Sequence, residues 1–355
     1  MVPVVDTNQK PLMPCSEKRA RKMIKSQKAT PFWHLGVFCI RLNVEPSARN
    51  MQQIAVGIDP GSKKEGFTVK SAAHTLLNIQ ADAVQHVKDA IETRRIMRRT
   101  RRNRKTPCRQ NRVNRARGGL APSTRARWQL KLRILFQLGK IYPITDVIVE
   151  DIQAVTKPGK RKWNVSFSPL EAGKKWFYAE ISKAGYTLTL WQGYETAAIR
   201  KRLGLTKTDK KLAEVFSAHC VDAWCLANEI VGGHQKPENE RLLCVVPLRF
   251  HRRQLHILQP ATGGTRRPYG STRSFGMQRG SLVRHSKYGV IYLGGYLKNR
   301  VSLHSLQTGK RLCQNVKVSD LKVLKPNSFR TYNPGKRCAR FLPALKDRVS
   351  AREDR

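Results

Sequence analysis

"QQIAVGIDPGSKKEGFTVKSAAHTLLNIQADAV", residues 52–84, is the stretch that decides the fold. Three apolar-rich runs are separated by "DPGSKKEG" and "SAAH", two clusters of turn-forming residues. Short β-favouring runs bounded in this way predict three strands in a meander. The first run, "IAVGID", ends on Asp59. A carboxylate buried at the tip of an apolar strand is expensive unless it is paired or bound to metal.

Downstream, "RWQLKLRILFQLGKIY" predicts an amphipathic helix with Trp128, Leu132, Leu135 and Leu138 near one face. "TDVIVEDIQAV" is a continuous apolar run, as expected of a strand inside a parallel or mixed sheet. "SPLEAGKKWFYAEISKAG" predicts a helix, "YTLTLWQG" a strand and "TAAIRKRLGL" a short helix. "DKKLAEVFSAHCVDAWCLANEIVGG", from 209, predicts a long helix closed by glycines. A meander, a crossover and then strands alternating with helices predict an RNase H-like α/β fold.

Upstream, residues 1–51 predict a small basic leader domain. It has a turn at Pro11 to Pro14, a basic helix, and "FWHLGVFCIRL" as one strand-like run. So small a piece is expected to dock onto its neighbour or a nucleic acid. From about 240, short strands separated by glycine-containing turns predict a small β-barrel or curved sheet of four to five strands. "QPATGGTRRPYGSTRS" before it reads as a basic linker, and 326–355 as a weakly ordered basic tail.

The chain has 355 residues, 69 Lys+Arg against 24 Asp+Glu, and a formal net charge of +45. Such a charge repels itself in a compact monomer and attracts phosphate backbones. It is most concentrated in "ETRRIMRRTRRNRKTPCRQNRVNRARGG", residues 92–119, with twelve Lys or Arg and one acid. A helix with arginine on every face has no apolar stripe to bury. The segment is therefore a basic arm, or it is enclosed by a polyanion. Eight scattered cysteines without a C-x-x-C pair argue against a disulfide framework and a zinc ribbon. With no apolar run of membrane-spanning length and no signal-peptide core, the expected location is cytoplasmic, beside the nucleoid when DNA is bound.

Glu150 repeats the Asp59 arrangement in "DVIVEDIQA", at the end of an apolar run. Glu150 and Asp151 face opposite sides of a strand, so only one can share a site with Asp59. Glu150, nearest the apolar run, is the better candidate. His219 and Asp222, in "FSAHCVDAWCLA", are three apart on one helix and share a face. Three carboxylates and a histidine in apolar settings suit two-metal phosphodiester hydrolysis, because magnesium takes oxygen ligands. His219 would orient or deprotonate the attacking water, or ligate one metal.

The order "GIDPGS", an arginine-rich helix, "VIVED" and "AHCVDA", with "PLMP" at 11–14, resembles the split RuvC nuclease of the transposon-encoded OMEGA proteins called IscB. IscB carries an HNH nuclease between its second and third RuvC motifs. Here 68 residues without a histidine separate Glu150 from His219, too little for an HNH site. The chain is therefore similar to IsrB, the HNH-lacking relatives.

That resemblance implies a leader over 1–51, a first RuvC segment over 52–83, and an arginine-rich bridge helix over 84–118 that splits the RuvC domain. The remaining RuvC segments lie over 119–240, a β-barrel-like domain over 241–325 and the tail over 326–355. It implies a monomeric protein in a ribonucleoprotein with a guide (omega) RNA. Such a particle opens target double-stranded DNA beside a short flanking motif and nicks the displaced strand, without a membrane partner. Asp59, Glu150, His219 and Asp222 would be catalytic and hold two Mg2+ ions, with Mn2+ as a substitute. Arg94, Arg95, Arg98, Arg99, Arg101, Arg102, Arg104, Lys105, Arg109 and Arg112 would meet RNA phosphates. Arg266, Arg267, Arg273 and Arg279 would meet DNA. An unguided junction resolvase and a non-catalytic RNA-binding protein are the alternatives. Loss of cleavage on substituting Asp59 separates the enzymes from the binder.

Overall fold

The computed structural model describes residues 1–46, 48–84, 87–103, 120, 122–153, 168–247, 273–274, 277–297, 300–306, 310–325 and 329–334. Two compact units divide the chain, one made of Met1–Val246 with Thr331–Pro334 and the other centred on the strands between 273 and 325.

The first unit opens with a four-stranded sheet. Its strands are β1 (Val2–Val5), β2 (Pro11–Cys15), β3 (Ala29–His34) and β4 (Val37–Leu42), with helix α1 (Glu17–Lys25) after β2. "PLMP" is thus strand rather than turn, because its backbone pairs antiparallel with β1. "FWHLGVFCIRL" is two strands, reversed at Leu35 and Gly36, both of which have positive φ. Two successive left-handed residues match the twist of a tight hairpin. The leader has its own core, with Val2, Val4, Leu12, Ala20 and Ile40 buried. It also meets its neighbour, since a Cβ on Gly36 would lie 2.6 Å from Thr331 Oγ1.

The meander follows as β5 (Ile54–Asp59), β6 (Lys64–Ser71) and β7 (Thr75–Asp82). Helices α2 (Val87–Asn103) and α3 (Pro122–Leu138) lead to β8 (Asp146–Asp151). Then come α4 (Pro169–Lys183), β9 (Thr187–Gln192), α5 (Gly193–Arg202), α6 (Phe216–Val231) and β10 (Leu242–Pro247). The second unit holds β11 (Arg273–Ser274), β12 (Met277–Gln278), β13 (Leu282–His285), β14 (Gly289–Leu297), β15 (Arg300–His304), β16 (Arg311–Val316) and β17 (Leu321–Lys325). A last strand, β18 (Phe329–Tyr332), ends the described chain.

One seven-stranded sheet has the order β18-β10-β7-β6-β5-β8-β9. The meander is antiparallel, while β8 runs parallel to β5 and β9 parallel to β8. An antiparallel three-strand meander extended by two parallel strands through helical crossovers is the RNase H-like arrangement. β10 and β18 widen this sheet beyond the meander, so the first unit runs to Val246 rather than stopping at 240. Residues 329–332, read from sequence as part of a weakly ordered tail, are therefore an edge strand. Strands β13 to β17 form a five-stranded antiparallel sheet in the order β16-β15-β14-β13-β17. It buries Val283, Ile291, Leu293, Val301 and Leu303. No helix among the described residues is long and apolar enough to cross a membrane.

α6 starts at Phe216, seven residues later than the sequence pattern suggests. Residues 209–215 make tight turns instead, with Lys211 N–H donating to Asp209 O and Ala213 N–H to Lys210 O. Two glycines let α6 lie against the sheet. A Cβ at Gly57 would sit 1.8 Å from Ala223 O, and one at Gly66 would sit 2.3 Å from His219 O. The opposite face belongs to α3 and α4. Glu65 alternates with Gly66 and meets Lys131 of α3 at 2.6 Å, while Asp151 alternates with Glu150 and meets Lys174 of α4 at 2.7 Å.

Gly57→Ala places a methyl group inside the van der Waals shell of a helix carbonyl, so the helix must move. Overpacking of this kind costs roughly 1–3 kcal/mol. The thermal unfolding midpoint of this variant is expected to fall by several degrees. An unchanged midpoint would show that α6 is not held at this distance.

Candidate active site

Asp59 ends β5, Glu150 lies near the end of β8, and Asp222 sits on α6. β5 and β8 are adjacent and parallel, so their carboxyl ends present both acids at one edge of the sheet. The glycine-mediated approach of α6 supplies the third. One carboxylate oxygen from each of Asp59, Glu150 and Asp222 lies within 4.8 Å of the others. Asp59 and Asp222 are buried and Glu150 is partly buried.

Three carboxylates at this separation repel one another, and the site shows how the charge is offset. Lys207 Nζ donates to Asp222 Oδ2 and lies 3.7 Å from Asp59 Oδ2. Arg200 Nη1 donates to Asp222 Oδ1. Burial works against the Lys207 ammonium, but Asp59 and Asp222 outweigh it and raise its pKa. Glu150, with no direct cationic partner among the described residues, shows the opposite effect. Burial, reinforced by Asp59 and Asp222, pushes its carboxyl up to about 7.

His219 is buried and uses both ring nitrogens. Nδ1 lies 3.0 Å from Asp59 Oδ2 and Nε2 lies 3.0 Å from Lys211 O. Each ring nitrogen faces an oxygen, and the imidazole is held between Asp59 and the Lys211 carbonyl. The structure thus places His219 against Asp59 rather than in the ligand cluster expected from sequence. His219 contacts Asp59 on one side, and Lys211 O, from the turns at 209–215, meets the other side of the ring. Asp151 falls on the other face of β8. Burial there is overcome by hydrogen bonds from Lys174 and Tyr178, which hold its carboxyl below the usual range.

The donor set suits a divalent cation. All three ligands are oxygens, the preference of hard ions such as Mg2+. Lys207 and Arg200 already place positive charge against the same carboxylates.

Sequence reasoning missed Lys207, Arg200 and Gly193. The two cations were lost among 69 Lys+Arg, with no local signal to separate them. Gly193 opens α5 where a Cβ would sit 3.0 Å from Glu150 Oε1, so the helix start can abut the carboxylate. A glycine directly after the apolar strand "TLTLWQ" was the available hint.

Of the expected RNA contacts, Arg95, Arg98 and Arg99 are exposed on α2. The backbones of Arg94, Arg101 and Arg102 lie on the same helix. Arg104, Lys105, Arg109 and Arg112 lie outside the described residues, as do Arg266 and Arg267. Arg273 belongs to β11, and Arg279 lies exposed in the turn after β12.

Two outcomes are expected of the metal-free protein. Lys207→Met leaves Asp59 and Asp222 facing each other without the ammonium, so stability falls by about 1–3 kcal/mol. The melting shift caused by added Mg2+ then exceeds that of the parent, and equal shifts would remove Lys207 from the charge balance. Glu150 has a folded-state pKa above its ordinary value of 4.5. The folded form therefore holds a proton that the unfolded form releases, and stability is lost as pH rises from about 4.5 to about 7. With chelator present, Glu150→Gln should gain on the parent across that window and hold a constant advantage above it. A pH-independent difference would contradict the raised pKa.

The family model described as RRXRR protein matches residues 2–163, which take in the leader, the meander, α2, α3 and β8. No curated protein matches the chain. Among solved structures, T. thermophilus RuvC in complex with Holliday junction substrate is 13% identical, covers 51% of this chain and 97% of its own, and has a TM-score of 0.29. The Thermus thermophilus RuvC structure is 14% identical, covers 49% of this chain and 91% of its own, and has a TM-score of 0.27. The RNase H-like assignment rests on the strand order and crossovers of the sheet itself.

Proposed function

We propose that this chain is a metal-dependent endonuclease, guided by RNA, that nicks one unpaired DNA strand at a single centre. The observation that carries the reading is the convergence of Asp59, Glu150 and Asp222 within 4.8 Å at one sheet edge. Asp59, Glu150 and Asp222 would hold Mg2+, which when bound activates water and stabilises charge on the attacking and leaving oxygens of a phosphodiester.

The protein's own groups prepare that edge. His219 fixes the rotamer of Asp59 through Nδ1 while Lys211 O holds the ring. Lys207 and Arg200 keep the acids gathered before a cation arrives, and they remain beside the cluster as positive charge for an incoming phosphate. Gly193 keeps space open next to Glu150. Among the described residues this is the one cluster of three or more acids, histidines or cysteines with metal-ligand spacing.

The RNA component rests on α2. The described side chains of α2 are all exposed, including Ile96 at 56% and Met97 at 48% as well as Arg95, Arg98 and Arg99. The ion pair from Arg95 to Glu92, at 3.9 Å, is weak at such exposure. Over these described side chains α2 offers no buried stripe, and exposed arginines suit phosphates. The five-stranded unit, with Arg279, Arg284, Arg300 and Lys322, is the proposed reader of the DNA beside the target.

The purified chain with RNA co-purified from its native locus is expected to nick one strand of matching duplex DNA in Mg2+. Asp59→Ala should abolish nicking and leave RNA affinity intact. Cleavage without RNA would favour an unguided resolvase, and a double-strand break would contradict a single centre. Unchanged cleavage by the Asp59 variant would remove the acid cluster from the chemistry.

A further inference from the structure

Two features at the rim of the acid cluster have no part in holding metal. On the Glu150 side, α5 begins at Gly193, within reach of the carboxylate, and the next residue is Tyr194. Tyr194 is 75% exposed, the most exposed large side chain of its kind in the described chain. The buried face of α5 is formed by Thr196 and Ile199. Tyr194, Ala198 and Lys201 are exposed at i, i+4 and i+7 spacing, so an aromatic, a small residue and a cation share one face.

On the His219 side lies a cleft of about 210 Å³ lined by Ser62, Lys63, Lys64, Lys211, Leu212 and His219. Lys64 is committed to Asp82 at 2.9 Å. Ser62, Lys63 and Lys211 are exposed, and neither Lys63 nor Lys211 has an ion-pair partner among the described residues. A hydroxyl and two unpaired ammonium groups in a concavity of this size suit one phosphate group. The two features are joined by direct contacts: the cleft includes His219, His219 holds Asp59, Asp59 neighbours Glu150, and Glu150 abuts Gly193.

Resting on the nuclease reading above, we infer that this rim is a binding track for an unpaired polynucleotide. One base stacks on Tyr194 and a nearby phosphate seats among Ser62, Lys63 and Lys211, so that the linkage between them crosses the acids. A duplex keeps its base faces stacked on each other and has none to offer Tyr194, which makes the track selective for single strands. Lys201, on the same helix face, takes the phosphate beyond the stacked base.

The test uses the full chain in chelator, with single-stranded oligonucleotides carrying 2-aminopurine at successive positions. Stacking on Tyr194 should quench the probe at one position. Tyr194→Ala should abolish that quenching and weaken single-strand binding about fivefold to a hundredfold. Tyr194→Phe should restore both, because the ring rather than the hydroxyl acts. Lys63→Ala with Lys211→Ala should flatten the log–log salt dependence of binding by about one unit. The variants lie on the surface, and unchanged melting curves confirm their folding. Quenching that survives Tyr194→Ala, or equal weakening of single-strand and duplex binding, overturns the track. Because the readout needs no cleavage, an intact track in a chain that never cuts DNA would refute the nuclease reading alone. Nicking with unaltered binding in the variants would refute the track alone.

Discussion

The close seating of α6 on β5 and β6 is the constraint on which the rest depends. It needs the missing side chains of Gly57 and Gly66, because any Cβ there would collide with the helix backbone. That proximity brings Asp222 to the two strand-borne acids and His219 to Asp59. Packing forces the carboxylates together, and Lys207 and Arg200 reduce the resulting repulsion. The site is therefore held by backbone contact and balanced by charge, while burial, with Asp59 and Asp222 added, raises the pKa of Glu150.

The period-two alternation of strands divides labour between the faces of the sheet. On the α6 face, Asp59 and Glu150 meet the helix that completes the cluster. On the other, Glu65 and Asp151 make buried or partly buried pairs with Lys131 and Lys174. Lys131 also lies over the Trp128 ring at 4.6 Å, and Trp128 packs on Phe177 of α4. Glu65 is fully enclosed, and burial raises its pKa against the pull of Lys131. In buried pairs of this kind desolvation offsets much of the attraction, and removing one partner leaves an uncompensated charge. Here they tie α3, the helix that follows the arginine segment, to the strand next to Asp59.

The net charge of +45 is used in two different ways. Lys64, Lys70, Lys131, Lys174, Lys207 and Arg200 are partly or wholly buried, each with an acid or carbonyl partner. Lys70 donates to the carbonyl of Gly232 at the end of α6, and burial lowers its pKa to about 8. Arg95, Arg98 and Arg99 of α2 are exposed to solvent. Internal basic groups shape the fold, and exposed ones such as Arg95, Arg98 and Arg99 are open to an outside anion.

The sequence by itself determined the meander, the acid at the tip of "IAVGID", the alternating strands and helices that follow, and the basic surplus. Each is a local pattern of hydrophobicity, turn residues or charge, readable within a few residues. It also separated Glu150 from Asp151, because alternation on a strand is a local rule. Tertiary structure alone decided what depends on distant partners. "PLMP" became strand because β1 lies beside it, and Leu242–Pro247 joined the larger sheet because β7 offers a free edge. Residues 209–215 left the helix, and His219 turned to Asp59 instead of joining the three carboxylates. Lys207 and Arg200 gained their place only when α5, α6 and β5 converged. A charged residue among 69 similar ones carries no mark in sequence of which acid it will meet.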